Sequence, residues 1–269
     1  MEFRTIVDVE DPGFRIEPCE EMLFVGSCFA DNMGARFKEE KFRATANPFG
    51  VMYNPVSILH TVERLSLAEP SILGSLRTAF FTLGTNHIYR LKETGEIVDN
   101  CQKRPQSLFT EEELTVDECA NYLQKAIDIL RAANPDIHVV LTVSPIRYRK
   151  YGYHGSQLSK ATLLLATRQV EGASYFPAYE IINDELRDYR FYAEDMLHPS
   201  SQAVEYIWQR LSEVYLSDAA KQFIKEWQPL KAALNHKPFN PESQEYRIFM
   251  DKTMLKIAEL QKKYPNFAV

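Results

Sequence analysis

The feature that most constrains the fold is an alternation of short apolar runs with stretches whose apolar positions recur at helical spacing, joined by tight turns. It begins with Met22-Leu23-Phe24-Val25, followed by Gly26-Ser27-Cys28-Phe29-Ala30 and by Asp31-Asn32-Met33-Gly34-Ala35-Arg36-Phe37. Strands this short and apolar are covered on both faces, which is the condition of a parallel sheet sandwiched by helices. Further strands read at 42–46, 79–83, 139–143 and 174–177, and the run at 139–143 is the clearest. Helices are expected at about 30–40, 56–65, 116–133, 157–171 and 201–215, between and after those strands. Residues 87–115 read as polar and irregular, with a hairpin turn at Glu93-Thr94-Gly95-Glu96, and 181–188 as a helical connection. The alternation predicts an α/β protein with a doubly wound, mostly parallel sheet. Beyond about 217 the character changes to two helical stretches, 218–234 and 242–264, with no strand candidate. We therefore expect one α/β domain over 1–216 and a helical extension over 217–269.

Composition removes several functional classes. A net charge of −6, with Arg147-Tyr148-Arg149-Lys150 as the densest basic cluster, argues against nucleic acid as a partner. Neither a charged-then-apolar leader nor an apolar run of spanning length is present, so no membrane association is expected. The four cysteines, Cys19, Cys28, Cys101 and Cys119, are scattered, which fits reduced thiols in a cytoplasmic protein. No H-E-x-x-H, P-loop or G-x-G-x-x-G occurs, so neither a metal nor a nucleotide cofactor is expected.

Two segments carry chemistry. Ser27 stands between a core strand and the next helix, at the carboxyl end of the sheet, where open α/β sheets bind ligands and hydrolases place nucleophiles. Its plainer role is to cap that helix. Cys28 is the rival nucleophile, because a thiol at a helix N-terminus is activated; one residue further along a tight turn, it points away from wherever Ser27 points. The second segment is Glu194-Asp195-Met196-Leu197-His198-Pro199-Ser200, an acid and a histidine three apart before the last helix of the α/β pattern. In this order the segments predict a triad of Ser27, His198 and Asp195, with Glu194 as the alternative acid. Oxyanion donors are expected from the Ser27 amide, from Gly50 and from Asn86, with Asn47 and Asn54 as alternatives to Asn86. Gly50 and Asn86 also read simply as turn residues.

These residues together resemble the GSCFA family, named for the motif at 26–30. The likeness extends through the segments at 47–55, 82–85, 100–101, 141–145, 157–160 and 189–200, and covers the chain to about 216. That family looks like a branch of the SGNH, or GDSL-like, hydrolase superfamily. The resemblance implies a flavodoxin-like three-layer α/β/α sandwich and a serine esterase acting on a small O-acyl group, such as acetyl on a carbohydrate. It assigns Ser27 to the first block, Gly50 to the second, Asn86 to the third, and Asp195 with His198 to the last. Two departures stand out: the usual first block is Gly-Asp-Ser, whereas Gly26 directly precedes Ser27, and the stretch between Leu65 and Ala79 is short. The shortened stretch and the helical tail leave open a non-catalytic module that binds a partner through the C-terminal helices, and acyl transfer in place of hydrolysis is a further alternative.

Overall fold

The computed structural model describes residues 3–101 and 104–267. Strand β1 (Glu21–Gly26) leads into helix α1 (Cys28–Glu39), then β2 (Arg43–Ala46), α2 (Pro55–Ala68), the short α3 (Pro70–Ser75) and β3 (Thr78–Leu83). The segment expected to be irregular instead forms β4 (His87–Leu91), β5 (Ile97–Val98) and β6 (Phe109–Glu113). There follow α4 (Val116–Ala133), β7 (His138–Val143), α5 (Gly152–Thr167), β8 (Ser174–Tyr175), α6 (Ala178–Glu180) with a π turn at 181–186, and α7 (Ser201–Tyr215). The tail holds α8 (Asp218–Leu234) and α9 (Gln244–Lys263).

The main sheet runs β2-β1-β3-β7-β8 with every pairing parallel. Counted in its own order this is 2-1-3-4-5, the flavodoxin-like arrangement, whose strand order reverses at β1. Alternation along the strands divides two cores. Met22, Phe24, Phe80 and Val140 face α1 and α7, while Leu23, Val25, Phe81 and Leu141 face α2, α4 and α5. Helices on both faces of a parallel sheet give the three-layer α/β/α sandwich.

Three local differences from the sequence reading have physical causes. Strands β4 to β6 form an antiparallel sheet whose outward residues are charged; the Arg90 guanidinium meets the Glu112 carboxylate at 2.9 and 3.0 Å, and no apolar run announces it. Helix α5 starts five residues early, because Gly152 adopts φ +66° and turns the chain directly into it. Helix α3 is a six-residue piece opened by Pro70, too short to show periodicity. The C-terminal helices pack on α1: Phe223, Trp227, Ile257 and Phe267 belong to the same apolar cluster as Phe24 and Phe37. The Trp227 indole N–H donates to Glu39 O at 2.8 Å. Among the described residues no helix is long and apolar enough to cross a membrane.

Candidate active site

The site is built where β1 leaves the sheet. At Gly26 the chain passes so close to β3 that a Cβ would lie 2.1 Å from Thr82 O, so only glycine fits. Ser27 follows as the N-cap of α1, with Phe29 N–H donating to its Oγ at 3.3 Å. The Ser27 hydroxyl in turn donates to Ser144 Oγ at 2.8 Å, at the end of β7, and the residue is fully buried. The hydroxyl is thus turned inward and sealed under the rim. Cys28, the first residue of α1, is half-buried and is a free thiol.

Asp195 and His198 form a pair on the loop before α7. Asp195 Oδ1 accepts the N–H groups of Leu197 and His198 at 2.9 and 3.0 Å, and Oδ2 lies 2.5 Å from His198 Nδ1. Those two amides and the imidazole hold the Asp195 carboxyl down to about 2. The acid that meets the ring is therefore Asp195 rather than Glu194. With Nδ1 facing a carboxylate, Nε2 is left to accept a proton. Arg147 anchors the loop to the end of β7: its N–H reaches Leu197 O and its guanidinium Met196 O, both at 3.0 Å. That gives the basic cluster of the sequence a structural task.

The structure brings Asp195 and His198 together but gives the Ser27 hydroxyl to Ser144, with no hydrogen bond from Ser27 to His198. The three expected oxyanion donors are each directed at an internal acceptor. Ser27 N–H goes to Thr82 O at 3.1 Å, and Gly50 N–H to Asn47 O at 2.8 Å within a turn at φ +98°. The Asn86 side chain donates to Leu114 O at 2.8 Å. The alternatives are engaged as well. Asn47 bridges Gly26 N–H and Asp31, and Asn54 caps α2. Around this turn, Cys28 N–H is left with no backbone acceptor among the described residues.

Several groups at this rim escape the sequence reading. Lys160 on α5 is buried, and its Nζ donates to Gly84 O at 2.7 Å and Ser144 O at 2.8 Å, tying the ends of β3 and β7. Burial brings its amine down to about 7. Two donated bonds are what a neutral amine can supply. Beside it lies a cavity of about 350 Å³ lined by Tyr53, Tyr89, Tyr148, Tyr151, His87 and Arg104 among others. The Tyr148 hydroxyl is buried without a hydrogen-bond partner, and the His87 ring stacks on Tyr151 at 3.7 Å. A signal for Lys160 was present, since Gln157-Leu158-Ser159-Lys160 is one of the matching segments.

A parallel α/β/α sandwich with an Asp–His pair at the carboxyl end of its sheet defines the class of molecule. Within that class the chain belongs to the GSCFA family, whose profile matches residues 21–72 and 68–211; that of the GSCFA domain protein C-terminal domain matches 227–269. Among curated proteins no match is found. Similar solved structures include a carbohydrate esterase family 3 from Talaromyces cellulolyticus, at 10% identity and TM-score 0.40, covering 77% of this chain and 99% of that one. Another is a lipase from a goat rumen metagenome, at 10% identity and TM-score 0.43, covering 74% and 99%. A third is an acetyl xylan esterase from Butyrivibrio proteoclasticus, at 10% identity and TM-score 0.39, covering 80% and 64%. At these values the likeness carries no reading of substrate.

Proposed function

We propose that this protein hydrolyses a carboxylic ester carrying a small O-acyl group, such as acetyl on a sugar or glycan. The observation that carries the reading is the Asp195–His198 pair, held on a loop that Arg147 ties to the carboxyl end of β7 in a parallel sheet. The carboxylate fixes the imidazole with Nε2 as the acceptor, so that His198 removes the nucleophile's proton and returns it to the leaving alcohol. The nucleophile belongs to the turn at Ser27 and Cys28, and the tyrosine-lined cavity has room for the alcohol portion of a substrate. No cofactor enters this chemistry.

The test is hydrolysis of p-nitrophenyl acetate and of acetylated sugars by the full chain and by His198→Ala. Loss of a positioned base should lower turnover on the order of 10²- to 10⁴-fold. Turnover that ignores His198 excludes the pair as catalytic. One observation favours the alternative of a binding module on this fold: the inward-facing Ser27 hydroxyl. In that case no ester is turned over although acetylated sugars still bind. Acyl transfer is the third outcome, seen as added sugar alcohols capturing the acyl group in place of water.

A further inference from the structure

We propose that the atom attacking the acyl carbon is Cys28 Sγ, with Ser27 confined to shaping and capping the turn. This rests on the ester-hydrolysis reading above and deepens it. The two adjacent side chains have opposite fates. Ser27 Oγ accepts from Phe29 N–H, donates to Ser144 and is sealed from solvent, so nothing is left to present to a substrate. Cys28 is half-buried at the first position of α1, where the helix N-terminus favours a developing negative charge.

The surroundings of Cys28 are those of a site. Asp195, partner of His198, lies close enough for its charge to act on Cys28, and so do Tyr53 and Tyr148, two rings of the cavity wall. The ionisable group acting on buried Lys160 is again Cys28. Two polar groups at this point lack a partner from elsewhere in the chain: Cys28 N–H, which has no backbone acceptor among the described residues and reaches only its own sulfur, and the buried Tyr148 hydroxyl. His87, buried on the same wall, faces Glu111 Oε1 through Nδ1 at 3.3 Å and stacks on Tyr151. Cys28 N–H is placed to stabilise the oxyanion formed when its own sulfur adds to the carbonyl. Burial pushes the Cys28 thiol up, while the N–H groups of Cys28 and Phe29 pull it down. Attack by this thiol requires a base to take its proton.

The cycle then balances. The Cys28 thiol proton passes to His198 Nε2 as the S–C bond forms. The C–O bond to the alcohol breaks, and the alcohol leaves with the proton from His198. Water, deprotonated by His198, cleaves the thioester, giving the carboxylic acid and the free thiol.

The experiment is to quench the full chain during turnover of p-nitrophenyl acetate and map the acetyl group by peptide fragmentation. The expected result is acetyl on Cys28, released by neutral hydroxylamine as a thioester is, with Cys28→Ala losing at least 100-fold in turnover. Substrate should also slow iodoacetamide alkylation of Cys28. The mapping needs no variant that has to fold. Acetyl on Ser27 resistant to neutral hydroxylamine, or full turnover in Cys28→Ala with loss in Ser27→Ala, overturns the assignment and leaves the ester reading standing. Absence of any turnover by the unmodified protein overturns the ester reading, and the assignment falls with it.

Discussion

The two ends of α1 are finished to different standards. At the C-terminal end the buried Glu40 carboxylate meets Arg36, Gln228 Nε2 at 2.9 Å and Lys231 Nζ at 3.0 Å, and Trp227 closes the Glu39 carbonyl. Polar groups there are answered from across the helix–helix junction. At the N-terminal end Cys28 N–H has no backbone acceptor among the described residues, the Tyr148 hydroxyl goes unanswered, and the buried Lys160 amine has carbonyls rather than a carboxylate for partners. Buried polar atoms are normally satisfied, so a local excess of unsatisfied ones marks where something else binds. One end of the helix is stitched to the C-terminal helices, and the other leaves the Tyr148 hydroxyl unanswered.

The sharpest way to break that division is Trp227→Ala. The indole is buried, stacks edge-on against Phe267 and bonds α1, so its loss should cost about 3–5 kcal/mol of stability. Denaturant unfolding measures the cost. Ester turnover per folded molecule should stay the same, because the junction lies at the far end of α1 from Cys28. A parallel drop in turnover would mean that the two ends act as one unit.

The same contrast explains what was legible in the sequence. The main-sheet strands announced themselves because burial on both faces forces continuous apolar runs, as in Phe80-Phe81 and Val139-Val140-Leu141. The sheet of β4 to β6 did not, because charged pairs such as Arg90 with Glu112 hold it and look like loop residues in a sequence. Asp195 and His198 were legible because one short loop contains both. The direction of Ser27 was not, since it depends on Ser144, 117 positions away. The oxyanion assignments to Gly50 and Asn86 turned on hydrogen bonds to Asn47 and Leu114, which spacing does not reveal.

Lys160 sharpens the comparison through pH. Its folded pKa lies near 7, below the ordinary lysine value of 10.5, so the native state sheds a proton that the unfolded chain keeps between those limits. Stability should therefore rise with pH across that window by up to about 1.4 kcal/mol per pH unit, with the burial penalty complete below about pH 7. The groups facing the amine are Cys28 and the rings of Tyr148 and Tyr179, 5.3 and 5.8 Å away. Lys160→Met removes the titration, so the difference in melting temperature between variant and parent should change steadily from pH 7 to 9.5. A constant difference would show that the amine remains charged in the fold.

The smallest expected effect belongs to Ser27 itself. If its hydroxyl only caps α1 and braces Ser144, Ser27→Ala should lose about 1–2 kcal/mol, the range for a missing N-cap and one unanswered buried group. Thermal unfolding measures that loss, and hydrogen exchange locates it in the first turn of α1, at Phe29 N–H. A nucleophile would behave oppositely, since removing it relieves a site of strain or polarity and leaves stability nearly unchanged while abolishing turnover. Ser27→Ala thus separates the two roles by the sign of its imbalance. A cap costs stability more than rate, whereas a nucleophile costs rate more than stability.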